Sequence, residues 1–114
     1  MTVTGGGQGG RNQELAVSAA ESLASFPVPA VVASLATDGI DGVSGAAGGI
    51  VDQDSTRRAA QLGLAPPAVF LDASDSAGFL APLGDLIVTG PTGTNVVDLT
   101  ILLAGDSKRL RNGP

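Results

Sequence analysis

The chain contains no Cys, His, Trp or Tyr, and its only aromatic residues are Phe26, Phe70 and Phe79. Each absence removes a class of chemistry. Without Cys and His there is no disulfide framework, no thiolate nucleophile, no imidazole base and no zinc site of the common kind. Any reaction must run on carboxylates, hydroxyls, amides, Arg, Lys and backbone N–H groups. Charged residues are sparse at 15%, and eleven acids against six bases give a net charge of −5, which argues against a nucleic-acid surface. The N-terminus lacks the basic start and apolar core of a signal peptide. No apolar run approaches the roughly 20 residues that span a bilayer. A cytoplasmic protein without membrane contact is the expectation.

What the chain has in excess is glycine, 17 of 114 residues, roughly twice the usual share. The length suggests one domain. Ala and Gly contribute little apolar area each, so the hydrophobic term per residue is weak. Such a domain is expected to lean on another.

Helix and strand signals alternate, which predicts an α/β fold with a small, mainly parallel or mixed sheet and short flanking helices. Thr2–Thr4 reads as the stump of a strand. A helix is expected from Asn12, as its N-cap, to about Ser25, with Leu15, Ala19, Leu23 and Ala16, Ala20, Ala24 recurring at spacing four. Ala30–Ala36 (AVVASLA) is nearly all apolar and predicts a strand covered on both faces, the parallel-sheet pattern. Gly45–Val51 is ambiguous between strand and helical turn. Short helices are expected over Thr56–Leu62, stopped by Gly63, from Pro66-Pro67, and from Ser74 to Leu83. Asp85–Thr89 reads as a second buried strand and Val96–Leu103 as a third. Lys108, Arg109 and Arg111 fall in a polar tail, so the expected division is a domain over 1–104 and a tail over 105–114.

In open α/β sheets ligands sit outside the carboxyl ends of the strands. Three glycine-bearing segments are expected there: Gly5–Asn12, Thr37–Gly42 and Gly90–Asn95. If the strands are parallel, the three converge on one edge. The first opens a helix, where unpaired N–H groups attract anions, and Arg11 adds a cation whose fork suits phosphate or carboxylate; a flexible tail is the other reading. Its literal G-x-G-x-x-G at Gly5, Gly7 and Gly10 is not a dinucleotide fingerprint, because only four residues precede Gly5 and no acid ends a second strand about 20 residues on.

The second segment places Asp38 and Asp41 on one turn beside Thr37. Two carboxylates and a hydroxyl suit Mg²⁺, and one Asp can instead accept a substrate proton. Ordinary Asp-Gly turn chemistry is the alternative. In the third segment Thr92, Gly93, Thr94 and Asn95 lack the Lys of a Walker A loop; they read as an anion nest or as a β-turn between strands. Asp98, just beyond, is expected to hold this loop. Arg57 and Arg58 read as a solvated helix face, and Asp72, Ser74 and Asp75 as a cap and turn.

The stretches GGRNQEL (Gly9–Leu15), TDGIDG (Thr37–Gly42), AAGGIVD (Ala46–Asp52) and GDLIVTGPTGTNVVDL (Gly84–Leu99) resemble, in that order, the MOFRL family. That family is the C-terminal domain of two-domain glycerate 2-kinases, often named hydroxypyruvate reductases. The resemblance runs from about Thr2 to Leu103. It implies a domain forming one wall of an interdomain cleft in which ATP, with Mg²⁺, phosphorylates the 2-hydroxyl of D-glycerate. The missing N-terminal domain is the implied partner, and the lone chain is expected to be inactive.

By the same resemblance Arg11 contacts transferring phosphate or substrate carboxylate and Asp38 does metal or base work; Asp41, three residues on in the same turn, is expected as a second metal ligand from the paired carboxylates. Gly9, Gly10, Asn12, Gln13, Thr92, Gly93, Thr94 and Asn95 are implied in binding. Two positions depart from the family pattern: Gly45, usually acidic, and Ser74–Ala77, usually Asn-Asp-Ser followed by an aromatic or His. The competing readings are a non-catalytic phosphate- or carboxylate-binding module and an NAD(P)-dependent hydroxypyruvate reductase.

Overall fold

A computed structural model describes residues 7–42, 45–94 and 97–105. The expected Thr2–Thr4 strand and the polar tail beyond Gly105 lie outside them. In chain order the elements are α1 (Arg11–Leu23), β1 (Ala30–Ala36), β2 (Gly48–Asp52), α2 (Ser55–Gln61), α3 (Pro67–Asp72), α4 (Ser76–Leu83), β3 (Leu86–Ile87) and β4 (Asp98–Ala104). None of the helices among the described residues is long and apolar enough to cross a membrane.

The strands form one sheet in the order β3-β2-β1-β4. The α/β class is as expected, but every neighbouring pair is antiparallel, which corrects the parallel reading of AVVASLA. The physical reason lies in burial. Along β1, Ala30, Val32, Ser34 and Ala36 are buried while Val31, Ala33 and Leu35 are only half-buried, the alternation of a sheet covered on one side. The run is apolar on both faces, yet among the described residues helices cover only one.

That covered face carries the core. Ala16, Val17, Ala20 and Leu23 of α1 pack on Ala30, Val32 and Val51, joined by Ala59, Phe79 and Leu80. Alanines at spacing four let α1 lie close to the strands. Phe70 meets Phe79 edge-on, with centroids 5.6 Å apart, a favoured aromatic geometry. The ambiguous segment before Val51 resolves as β2. The expected strand Asp85–Thr89 shrinks to Leu86–Ile87, whose side chains are half-buried at a sheet edge. Arg58 is not merely solvated: its Nη2 donates to Asp85 Oδ2 at 3.0 Å and lies 3.7 Å from Asp52, tying α2 to the sheet. Arg57 remains exposed beside Asp54.

The antiparallel pairing positions the site. Ala36, at the C-terminal end of β1, stands opposite Asp98, the first residue of β4, and Leu35 stands opposite Gly48, the first of β2. Ile87, which ends β3, also pairs with Gly48. One end of the sheet therefore collects the exits of β1 and β3 and the entries of β2 and β4.

Candidate functional site at the rim of the sheet

The three glycine-bearing segments meet at that end. Thr92 N–H donates to the Asp38 carbonyl at 3.0 Å, joining the third segment to the second. Gly39 has φ +86°, and a Cβ built on it would stand 2.0 Å from the Gly90 carbonyl oxygen. Gly42 has φ +67°, and its Cβ would stand 2.0 Å from the Gly9 carbonyl oxygen. Only glycine permits both the left-handed backbone and the close approach. The convergence expected from parallel strands is thus reached through antiparallel ones.

Asp41 is the anchor of this arrangement. It is 2% exposed. Its Oδ1 accepts from Asn12 N at 3.0 Å and Asn12 Nδ2 at 3.2 Å, and its Oδ2 accepts from Gln13 N at 2.8 Å. Gln13 Nε2 donates to the Asp41 carbonyl at 3.2 Å. The first turn of α1 is therefore capped by a carboxylate from another segment, which satisfies two of its orphan N–H groups and complements the helix dipole.

Two expectations change as a result. The N-cap position belongs to Gly10, not Asn12, and the helix start is already occupied by an internal anion. A buried carboxylate committed to three N–H donors serves as a cap, so the reading of Asp41 as a metal ligand is set aside.

Asn12, also buried, is the hub. Its Nδ2 donates to Asp98 Oδ1 at 3.0 Å as well as to Asp41, and its Oδ1 accepts from Ser34 Oγ at 2.7 Å. Ser34 Oγ lies 3.0 Å from Thr100 Oγ1. Ser34 and Thr100 face each other across β1 and β4. Sequence reasoning missed both. The available signal was a single hydroxyl residue within each of two strands whose other interior positions are apolar.

Arg11 is the exposed member. Its Nε pairs with Asp98 Oδ2, its Nη2 donates to Asp98 Oδ1 at 3.1 Å, and the side chain stays 59% exposed. Asp98 raises the guanidinium above its ordinary value by hydrogen bonding and charge, with Asp41 and Asp38 adding at longer range. Conversely, hydrogen bonds from Arg11 and then Asn12 hold the Asp98 carboxyl below its usual range. Asp98 therefore fixes the start of α1. A guanidinium gripped along one edge keeps its remaining N–H groups for a planar anion. An open depression of about 330 Å³ lies beside it, lined by Arg11, Glu14, Leu15 and Ser18.

The other expected residues take different places. Gly9 and Gly10 are buried, Gly10 against Asp41 and Gly9 against Ser76 at the start of α4. Asp38 is half-buried, and its Oδ1 accepts from Ile40 N at 3.0 Å in a local turn. Thr92 and Thr94 are exposed, but their hydroxyls reach the Thr37 carbonyl at 2.7 and 2.9 Å. Each hydroxyl has one proton, so these side chains close the loop and offer lone pairs outward. Gly93 is exposed between them, and Asn95 lies outside the described residues. Of the two departures from the family pattern, Gly45 is exposed at the rim, whereas Ala77 is buried and its N–H donates to the Gln8 carbonyl at 2.9 Å.

The expected Mg²⁺ site meets the same test. With Asp41 engaged as a cap, the described residues hold no group of three or more Asp or Glu placed to bind a metal ion. Asp38 fits as a single carboxylate ligand, which suffices only where phosphate oxygens and waters complete the shell.

The chain is similar to known proteins over most of its length. The D-glycerate 2-kinase of Thermotoga maritima is 48% identical over 99 residues, covering 87% of this chain and 23% of that protein. The glycerate 2-kinase of Pyrococcus horikoshii is 40% identical over 112 residues, covering 97% of this chain and 24% of that protein. The crystal structure of the Thermotoga glycerate kinase superposes with a TM-score of 0.84 at 46% identity, over 92% of this chain and 25% of that one. The chain thus spans about a quarter of the length of the relatives it matches. The MOFRL family model matches residues 1–98, and the chain belongs to the MOFRL family.

Proposed function

We propose that this chain is the C-terminal domain of an ATP-dependent glycerate 2-kinase and forms the phosphate and glycerate wall of an interdomain cleft. The observation that carries the reading is the Arg11 guanidinium, exposed at the rim yet held along one edge by Asp98. Support comes from relatives named as glycerate 2-kinases that align with nearly all of this chain.

In this reading ATP and glycerate are substrates. The 2-hydroxyl oxygen of glycerate attacks the γ-phosphorus of ATP, the bond to the β-phosphate bridging oxygen breaks, ADP leaves, and the hydroxyl proton passes to a carboxylate. Such transfer depends mainly on positioning and charge neutralisation. Arg11 supplies a fixed cation for a phosphate or the glycerate carboxylate. Asp38 is the carboxylate for a metal ion or for the proton. Gly9, Gly10, Asn12 and Gln13 hold the Arg11 backbone in place, Thr92, Gly93 and Thr94 form the opposite lip, and Asn95 is assigned to substrate binding by the family resemblance alone. Mg²⁺, when bound, neutralises phosphate charge, and Asp38 is the residue of this chain that would reach it. One wall neutralises only part of the charge, so the chain by itself is expected to be inactive.

The test is a chimera in which this chain replaces the matching quarter of the Thermotoga D-glycerate 2-kinase. Glycerate-dependent ADP formation is expected from the chimera and not from the 114-residue chain. A folded chimera without turnover, or robust turnover by the lone chain, overturns the reading. A folded chimera that binds glycerate without transferring phosphate points instead to a non-catalytic binding module.

A further inference from the structure

The face of the sheet away from α1 has no cover among the described residues. Pairing register places Val31, Ala33 and Leu35 of β1, Gly48, Ile50 and Asp52 of β2, and Leu99, Ile101 and Leu103 of β4 on that one face. Seven of the nine carry apolar side chains, and the one charge, Asp52, lies at the end away from the rim, 3.7 Å from Arg58. Leu99, Ile101 and Leu103 are 45%, 42% and 66% exposed, and Ile50 is 38% exposed. At one end of the face, Pro29, Val31 and Leu103 line an apolar groove of about 330 Å³.

Among the described residues the edge is equally unprotected. Every residue of β4 is exposed, and β4 closes the sheet on one side. Edge strands left open in monomers are usually blunted by Lys, Pro or a bulge. In β4 the sole charge is Asp98, which is committed to Arg11 and Asn12. A face apolar on seven positions, joined to an unblunted edge, is the pattern of an interface rather than of a solvated surface.

We infer that this face is the seat of the kinase polypeptide outside the present segment, which lies across β1 and β4 with an apolar surface. The inference rests on the reading of the chain as one part of a glycerate kinase. Two observations select this occupant. First, the relatives contain about three times as much further chain as the matched segment, since the match covers 23% and 24% of them. An antiparallel sheet can leave one face to water, but that face is then polar, and this one is largely apolar. Second, the face is continuous with the site: β4 starts at Asp98, the partner of Arg11, so a body seated along β4 also reaches the rim and closes it over the guanidinium.

A cysteine reporter reads this directly, because the chain has no native Cys. Leu103→Cys and Ile101→Cys are introduced separately into the 114-residue chain and into a chimera carrying it in place of the matching segment of the Pyrococcus kinase. Thiol alkylation is followed by peptide mass spectrometry, each rate taken relative to the same cysteine in the urea-unfolded protein. Both cysteines are expected to react at least about tenfold more slowly in the chimera than in the lone chain. Equal rates in an active chimera overturn the inference while leaving the kinase reading intact. Protection already present in the lone chain, with sedimentation as a dimer, overturns it in favour of a second copy. Should the chimera fail to fold, the intact Pyrococcus enzyme with Cys at the position matching Ile101 carries the same comparison: rapid alkylation there overturns the inference, and slow alkylation supports it.

Discussion

Arg11 and Asp98 lie 87 residues apart and form a two-point ion pair in which Asp98 meets both Nε and Nη2 of the guanidinium. The pair locks the first residue of α1 to the first residue of β4. Because Asp98 also accepts from Asn12, the orientation of the exposed Arg11 is fixed by the same contacts that hold the fold.

The pair makes stability depend on acid. Asp98 is held below its ordinary carboxylate value of 3.8, first by the Arg11 hydrogen bond and then by Asn12. Its contribution is therefore complete above that value and is lost as pH falls through the lowered one. Urea midpoints measured from pH 5 downwards should decline less steeply for Asp98→Asn than for the native chain. Parallel slopes would mean that the pair adds nothing.

Removing the charge partner from the active enzyme tests the site itself. In the Thermotoga chimera, Arg11→Ala should lower kcat/KM at least about tenfold, equivalent to about 1.4 kcal/mol of transition-state stabilisation. Arg11→Lys should recover only part, because Lys cannot reproduce the fork. An unchanged kcat/KM for Arg11→Ala would remove the residue from the site.

Asp41 acts on stability instead. Asp41→Ala strips the cap from Asn12 N and Gln13 N and orphans Asn12 Nδ2 in part. Loss of a capping side chain costs about 0.5–2 kcal/mol, and this buried one belongs at the upper end. Asp41→Asn keeps one acceptor and should cost less. Both are read from urea denaturation of the chain.

Asn12 separates charge from packing. Asn12→Ala leaves the Ser34 hydroxyl without its Asn12 acceptor and removes one of the donors to Asp98, at about 1–3 kcal/mol. Asn12→Asp adds a carboxylate against Asp41 and Asp98 and should be worse at pH 7, with the difference narrowing on acidification. Equal melting temperatures for the two variants across pH would contradict this.

Gly39→Ala and Gly42→Ala combine two penalties. The left-handed backbone alone costs about 1–2 kcal/mol. Each new Cβ would also stand 2.0 Å from a carbonyl oxygen of a neighbouring segment. Both variants should lose more than the backbone term, measured by denaturant midpoint, and Gly39→Ala should also weaken the Thr92–Asp38 contact between the second and third segments.

Much of this was legible residue by residue. α1, β1, the helix stops and the strand before Ala104 follow from apolar spacing and from glycine and proline placement. Strand direction was not, because an apolar run reads alike whether its second face meets a helix of the same chain or of another. Nor were the roles of the two aspartates of TDGIDG separable. Asp38 and Asp41 occupy similar local sequence, yet one is half-buried in a local turn and the other is buried against α1.

The sequence by itself determined the chemistry available: no imidazole or thiol, a single Arg beside a glycine-rich turn, and carboxylates on loops. Tertiary structure alone decided which carboxylate caps a helix and which grips Arg11. Those assignments depend on contacts between residues 28 to 87 positions apart, and no local preference encodes which of several equivalent acids will be buried against a helix start.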